Sequence, residues 1–373
     1  MRKSPLAFLA ALACLLVGAG AVPAAAQRQS VTPVGGALLK GEGVVVQPRA
    51  GAPALPTDLT SSSWLVADLD TGEVLATKAP HERFLPASTL KTLTAVTLIP
   101  RLDPSQLVKC SYRDAVVDGS KVGLVPGMSY TVRKLLTAML VVSGNDAADA
   151  LAEAAGGIGK TVRLMNGEAT HLQAYDTFAR TPSGLDGPGE STSAYDLALI
   201  ARAGLQLPAF RDYVGTVSST VPAPHHKHFQ IYTHNRLLTS YRGAIGVKNG
   251  YTVAADATYV GAATRNGHTI LITLMHAQPY FWDEARSLLD WGFRARSTVD
   301  PVGTLVDPQQ PAAHVEAAAA QQTPQRTTVV LTARHGGSIP IWQIALLAAS
   351  AAIATVVTAR RLRRPQRMSL PPL

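Results

Sequence analysis

The chain reads as one α+β domain, an antiparallel sheet built from both ends of a helical middle, followed by a C-terminal transmembrane helix. Three observations predict this. Strand patterns with tight turns lie at the two ends of a central block, and helical patterns fill the space between them. Two long apolar runs flank that block, one near each end of the 373-residue sequence.

The flanks come first. Residues 1–26 open with Arg2 and Lys3, continue as an apolar run and end at Ala24-Ala25-Ala26, the pattern of a secretory signal peptide. An uncleaved anchor is the alternative, and a lipoprotein reading through Cys14 is weaker because that cysteine lies inside the apolar run. Residues 27–55 are rich in Gly, Pro, Ala and Val without a clear period and read as a leader or linker. Residues 56–296 form the expected domain. Residues 297–338 are rich in Pro, Ala and Gln and read as a spacer.

Residues 339–359, IPIWQIALLAASAAIATVVTA, carry no charge. At about 1.5 Å per residue they reach about 31 Å, enough for a hydrocarbon core of about 30 Å. The arginine-rich tail, 360–373, belongs on the cytoplasmic side. The expected location is therefore the cell membrane, single-pass, with the domain extracytoplasmic and the C-terminus cytoplasmic.

This arrangement accounts for the charge. Of the formal +9, Arg2, Lys3 and the five arginines after Ala359 supply +7. A basic balance invites a nucleic-acid reading, but here the excess sits in the flanks, and nucleic-acid binding is disfavoured. Cys110 is the only cysteine outside the signal peptide. It can form no internal disulfide and fits no zinc framework; it reads as a buried thiol.

Within the block, SWLVADLDTGEVLAT reads as two strands joined at Asp70-Thr71-Gly72. Behind Pro86, apolar residues recur at helical spacing through Leu90, Leu93 and Val96. Further helices are expected at Val132–Val142, at Asp146–Ala155 before Gly156-Gly157, and at Ala194–Gln206. ATYVGAATRNGHTILITLMH is a strong hairpin signal with Asn266-Gly267 as its turn. FWDEARSLLDWGFRAR reads as a closing helix.

Three short motifs lie in the block, each ordinary when taken alone. Ser88 and Lys91 stand one helical turn apart, which also describes a helix cap followed by a good helix former. Ser143-Gly144-Asn145 falls in the break between two apolar helices, where serine and asparagine serve as caps. Lys248-Asn249-Gly250 leads toward the strong hairpin and matches an edge-strand lysine before an Asn-Gly turn.

In sequence order, SxxK, SxN and KxG together resemble the penicillin-recognising serine enzymes. The flanking text narrows the resemblance to D-alanyl-D-alanine carboxypeptidases of the low-molecular-mass penicillin-binding group. It includes ADLDTGEVLATKAPHERFLPASTLKTLTA, YTVRKLLTAMLVVSGNDAADALAE, TPSGLDGPGESTSAYDLALIA, NRLL and LLDWGFR, and it covers roughly residues 57–296.

The resemblance implies a β-lactamase/DD-peptidase-like fold, with a five-stranded antiparallel sheet and a helical subdomain. It implies peptidoglycan stem peptides and β-lactams as ligands, and no cofactor or metal. Ser88 would be the nucleophile and Lys91 its base, which burial and a neighbouring positive charge must keep partly neutral. Ser143 would relay a proton and Asn145 would orient Lys91. Lys248 and Asn249 would bind the substrate carboxylate. Gly250 completes the third motif, and the backbone N–H groups of Ser88 and Tyr251 would form the oxyanion hole.

Asn249 departs from the family pattern, which has Thr or Ser there. A second departure is the short linker and spanning helix in place of a second small β domain. His225, His226 and His228 in APHHKHF could bind a metal but lack an evident fourth ligand, and a polar loop entering a strand is preferred. The rival readings are a DD-endopeptidase or transpeptidase of the same fold, or a membrane protein that binds stem peptides without turnover. A β-lactamase is disfavoured, since no E-x-x-x-N element stands between Asn145 and Lys248.

Overall fold

The alternating runs at the two ends of the block meet in one sheet. The computed structural model describes residues 32–310. The expected signal peptide, the spanning segment 339–359 and the basic tail lie outside the described residues. Among the described residues, no helix is long and apolar enough to cross a membrane.

The strands are β1 (Val44–Pro48), β2 (Ser63–Asp68), β3 (Glu73–Lys78), β4 (Leu107–Lys109), β5 (Ser129–Thr131), β6 (Ser218–Pro222), β7 (His228–Tyr232), β8 (Ala244–Thr252), β9 (Asp256–Arg265), β10 (His268–Ala277), β11 (Val299–Asp300) and β12 (Gly303–Thr304). The helices are α1 (Lys91–Leu98), α2 (Tyr112–Ala115), α3 (Val132–Val141), α4 (Asn145–Ala154), α5 (Ile158–His171), α6 (Ala194–Gln206), α7 (Pro208–Val214), α8 (Leu237–Ser240) and α9 (Trp282–Ala295).

The main sheet runs β11-β1-β3-β2-β10-β9-β8, with β12 also paired to β3. Every pairing in it is antiparallel. The sheet has eight strands where five were expected: β3, β2, β10, β9 and β8 stand for those five, and β1, β11 and β12 extend it beyond β3. β4 with β5, and β6 with β7, form separate two-stranded ribbons. The β9–β10 turn falls at Asn266-Gly267, both left-handed (φ 51 and 80), as a tight hairpin requires.

Helices cover both faces of the sheet, so its middle strands are buried on both sides. Along β2, Trp64 and Val66 enter a core shared with Leu288, Leu289 and Trp291 of α9, while Leu65 and Ala67 enter the larger helical core. Within the helical layer, α1 is buried along its whole length. A lysine at its first position is therefore inside the protein from the start.

The sheet extends past the boundaries expected for the domain. β1 lies in the segment read as leader, and β11 and β12 lie in the segment read as spacer. β1 and β12 pair with β3, β11 pairs with β1, and Leu39, Val299, Val302 and Leu305 are buried beside them. Two-residue strands have no period to detect, and glycine and proline here mark turns in an ordered edge. The composition was that of a linker, but the segment is a strap.

A clasp fastens this region. His81 Nδ1 lies 2.9 Å from Asp176 Oδ2, and its Nε2 lies 3.0 Å from the Val34 carbonyl oxygen. Among the described residues, His81, Asp176 and Asp196 are the one group whose ligand atoms gather closely enough for a metal. Both ring nitrogens already face protein acceptors, so the cluster is better satisfied by an imidazolium.

Burial works against the charge on His81, but the hydrogen bond and charge of Asp176 outweigh it and raise the pKa. Asp196, pushed up to about 7 mainly by burial, and Arg83, bonded to Asp176, are the other charged groups nearby. A raised histidine contributes stability that is full below the unfolded value and is lost as pH rises through the folded one. The melting-temperature gap between wild type and His81→Gln should therefore be wider at pH 5.5 than at pH 8.5. An equal gap at both pH values would remove the charge from this account.

Candidate active site

The site forms where the start of α1, the α3–α4 connection, the 181–190 loop and the edge strand β8 converge. Ser88 lies in a 3-10 turn, Ala87–Leu90, that leads directly into α1. It thus stands three residues before the α-helix and is not its N-cap, which is Leu90. Lys91, the first residue of α1, is completely buried. Its Nζ lies 2.9 Å from Ser88 Oγ, 2.7 Å from Asn145 Oδ1 and 2.6 Å from the Ser183 carbonyl oxygen.

Burial, and then the charge of Lys248, drive the Lys91 pKa well below the ordinary lysine range. Asp149, Glu190 and Asp146 oppose that shift. A lysine in this state can accept a proton near neutral pH, and the atom 2.9 Å from it is a serine hydroxyl.

Asn145 is fixed by its second amide atom, Nδ2, which donates to the Asp118 carbonyl at 2.7 Å. The 118–124 segment is in turn held by Asp146, whose carboxylate accepts from the N–H groups of Val122, Gly123 and Leu124. Ser143 stands in the tight break between α3 and α4 with a left-handed backbone (φ 62). Such a conformation costs a non-glycine residue about 1–3 kcal/mol. Its Oγ is buried and has no hydrogen-bond partner among the described residues. Strain and an unpartnered hydroxyl together point to use rather than to packing.

On the other wall, Lys248 of β8 is buried, and desolvation lowers its pKa to about 7. Its Nζ donates to the Asn249 carbonyl at 2.6 Å. Asn249 itself is half-buried, opposite Tyr259 in the ladder. Gly250 shows why a glycine is needed: a Cβ there would lie 2.6 Å from both Ser88 N and Thr258 Oγ1. The strand thus reaches the backbone of the turn that carries Ser88. The Tyr251 side chain is 55% exposed, next along the strand from Gly250.

The structure therefore joins Ser88, Lys91 and Asn145 by direct contact and sets Gly250 against Ser88. Lys248 acts on Lys91 through charge. A profile of the D-alanyl-D-alanine carboxypeptidase family matches residues 49–279.

The chain belongs to the D-alanyl-D-alanine carboxypeptidase family. It is a serine-type D-Ala-D-Ala carboxypeptidase, a hydrolase. It is 43% identical over 267 residues to the D-alanyl-D-alanine carboxypeptidase DacB2 of Mycobacterium tuberculosis, covering 70% of this chain and 90% of the relative. DacF of Bacillus subtilis is 31% identical over 246 residues, covering 64% and 63% respectively.

Among solved structures, a D-alanyl-D-alanine carboxypeptidase of M. tuberculosis H37Rv superposes with a TM-score of 0.65 at 41% identity, covering 71% of this chain and all of that one. The Streptomyces K15 DD-transpeptidase gives a TM-score of 0.62 at 30% identity, covering 65% and 99%. The fold is the DD-peptidase/β-lactamase-like one.

Several contributors to this carboxypeptidase site carry no motif. The Asp118 and Ser183 acceptors are backbone carbonyls, which any residue type supplies. His234 has its N–H on the Val141 carbonyl at 3.0 Å, and partial burial followed by the Lys248 charge lowers its pKa. Only the neighbouring NRLL text hinted at this segment. His225, His226 and His228 lie at the tip between β6 and β7, where the first two are left-handed (φ 59 and 58). They line a shallow cleft with Val125 and Met128, beside the 118–124 segment.

Cys110 is buried, and desolvation, with Asp114 and Asp146, pushes its thiol up to about 11.

Proposed function

We propose that this carboxypeptidase removes the terminal D-alanine from peptidoglycan stem pentapeptides through an acyl-enzyme on Ser88. The carrying observation is the buried Lys91 ammonium site, 2.9 Å from Ser88 Oγ and depressed in pKa. Lys91 takes the serine proton, and Oγ attacks the carbonyl between the two D-alanines. The N–H groups of Ser88 and Tyr251 receive the developing oxyanion, and one such donor is worth about 3–4 kcal/mol. Ser143 passes a proton to the leaving amine, the C–N bond breaks and D-alanine departs. Water then hydrolyses the ester. Lys248 holds the free carboxylate, and a β-lactam acylates the same serine.

The domain is proposed to act outside the cell membrane, exported by residues 1–26 and anchored by residues 339–359. This rests on the apolar runs and the arginine cluster.

Mass spectrometry of a D-Ala-D-Ala-terminated pentapeptide incubated with the full-length chain, beside Ser88→Ala, tests the reading. Loss of one alanine in wild type alone supports it, and an unchanged peptide removes it. Transfer to an acceptor amine is a second reading, favoured by the likeness to the Streptomyces transpeptidase. Adding glycine to the same reaction would reveal it as a product of exchanged mass.

Asn249 is expected to be replaceable. An amide can donate to a carboxylate as a hydroxyl does, but it is longer and planar. Asn249→Thr should leave kcat/KM intact or raise it. A large loss would assign the amide a specific task.

A further inference from the structure

Lys91 is gripped by three acceptors, and one of them, the Ser183 carbonyl, lies in a loop with its own buried anchor. Glu190 is 4% exposed. Its Oε1 accepts from the Arg180 N–H at 3.2 Å, the Thr181 N–H at 3.4 Å and Thr181 Oγ1 at 3.4 Å. Thr181 Oγ1 in turn accepts from the Gly184 N–H at 2.9 Å, which closes the turn that presents the Ser183 carbonyl. The other carboxylate oxygen, Oε2, is buried with no hydrogen-bond partner among the described residues.

A carboxylate used only as a strut would be an expensive choice. Three long bonds converge on one oxygen while its twin is stranded, and an amide could accept the same bonds without a buried charge. Glu190 also acts on Lys91 through its charge. We propose that Glu190 is a positioning residue for the Ser88–Lys91 pair: it holds the turn that grips Lys91, and its negative charge sets how readily Lys91 accepts the serine proton. This rests on the reading of Ser88 as nucleophile and Lys91 as base.

Burial, reinforced by Asp186, raises the Glu190 pKa to about 7, against the pull of its hydrogen bonds. The Arg180 guanidinium lies over the Phe178 ring at 4.4 Å and makes no ion pair with Glu190 among the described residues. The charged groups that face Lys91 are Lys248, Asp149, Asp146 and Glu190. When Glu190 is ionised it favours the ammonium form of Lys91 and so withholds the base. Removing its charge must make neutral Lys91 available at lower pH.

The test is the acylation rate of the full-length chain by a fluorescent penicillin, measured across pH for wild type, Glu190→Gln and Glu190→Asp. Glu190→Gln should move the part of the acid limb above about pH 7, where the wild-type carboxyl is ionised, down by roughly half a pH unit, about threefold faster acylation there, and the two limbs should converge below it. Glu190→Asp keeps the charge and should keep the wild-type limb, with a lower plateau from a looser turn. With a peptide substrate, the changes should fall on kcat and leave KM within about twofold.

Should Glu190→Gln fail to fold, Thr181→Val provides the complementary arm. It cuts the turn but retains the charge, so its limb must stay in place. An unmoved limb in Glu190→Gln, or a moved one in Thr181→Val, overturns the proposal and leaves Glu190 a strut. No labelling of wild type would instead overturn the Ser88 reading on which it stands.

Discussion

Replacing Lys91 with methionine is expected to lower kcat/KM for D-alanine release by about 10³-fold or more, while the protein stays folded. The loss follows from the geometry. Lys91 Nζ is the only basic atom bonded to Ser88 Oγ among the described residues, and general-base catalysis is typically worth about 10²–10⁴-fold. Lys248 cannot take over, because its Nζ is directed at the Asn249 carbonyl and makes no hydrogen bond to Ser88 Oγ among the described residues.

Folding should survive for a separate reason. A completely buried ammonium group carries a desolvation cost, and a methionine of similar length removes it. Against this, Asn145 Oδ1 and the Ser183 carbonyl lose their donor, although Asn145 keeps its bond to Asp118. Thermal melting beside steady-state release of D-alanine separates the two effects. A variant within tenfold of wild-type kcat/KM would mean that another group activates the serine.

The second large effect is expected at Gly184. Its backbone is left-handed (φ +76), and a Cβ there would sit 1.9 Å from the Ala87 carbonyl oxygen and 2.7 Å from the Ala87 carbonyl carbon. No rotamer relieves a clash with backbone. Gly184→Ala must push the 181–190 loop away from the turn that carries Ser88, or distort that turn. Ala87 is already left-handed at φ 46 and has little freedom to yield.

A loss of about 3 kcal/mol is expected, from overpacking plus the unfavourable backbone region. Activity should fall by about 10²-fold in the folded fraction, because the Ser183 carbonyl and Ser88 are displaced relative to each other. Urea unfolding and penicillin acylation of the same preparation check both. A stable, fully active alanine variant would show that the two turns do not meet as described.

Periodic elements were legible in the sequence and aperiodic ones were not. The β2–β3 and β9–β10 hairpins carry strong turn residues, and α6 was expected over its observed residues, Ala194–Gln206. By contrast, α5 buries only Thr161, Met165 and Ala169, and its polar surface hid it. α7 follows α6 after a single residue and opens on Pro208, a residue type that ends a helical pattern as readily as it begins one. The strap strands were too short to show a period.

The site divides in the same way. Side-chain chemistry at fixed spacing marked Ser88, Lys91, Ser143, Asn145 and Lys248. The Ser183-Gly184-Leu185 segment resembles the family text, but its contribution is a carbonyl and a close approach. Glu190 lies inside the TPSGLDGPGESTSAYDLALIA text but in none of the three motifs, since it acts through a turn rather than on the reacting atoms.

The strap also sets the mechanical character of the domain. The described chain begins beside His81 and Asp176, through Val34, and ends a few residues away, where the Gln309 N–H bonds the His171 carbonyl and the Gln309 amide reaches Tyr175. Both ends thus pass through one doorway. A pull on residue 310 is borne first by Gln309, by the Arg202–Asp307 ion pair and by the short β12 and β11 pairings. Strands β3, β2, β10 and β9 then stand between that load and β8. Peeling would bare Leu305 and Val302 before it reached Gly250. The edge strand that carries Lys248 and Gly250 is the last part of the sheet to feel tension on the chain that leaves it.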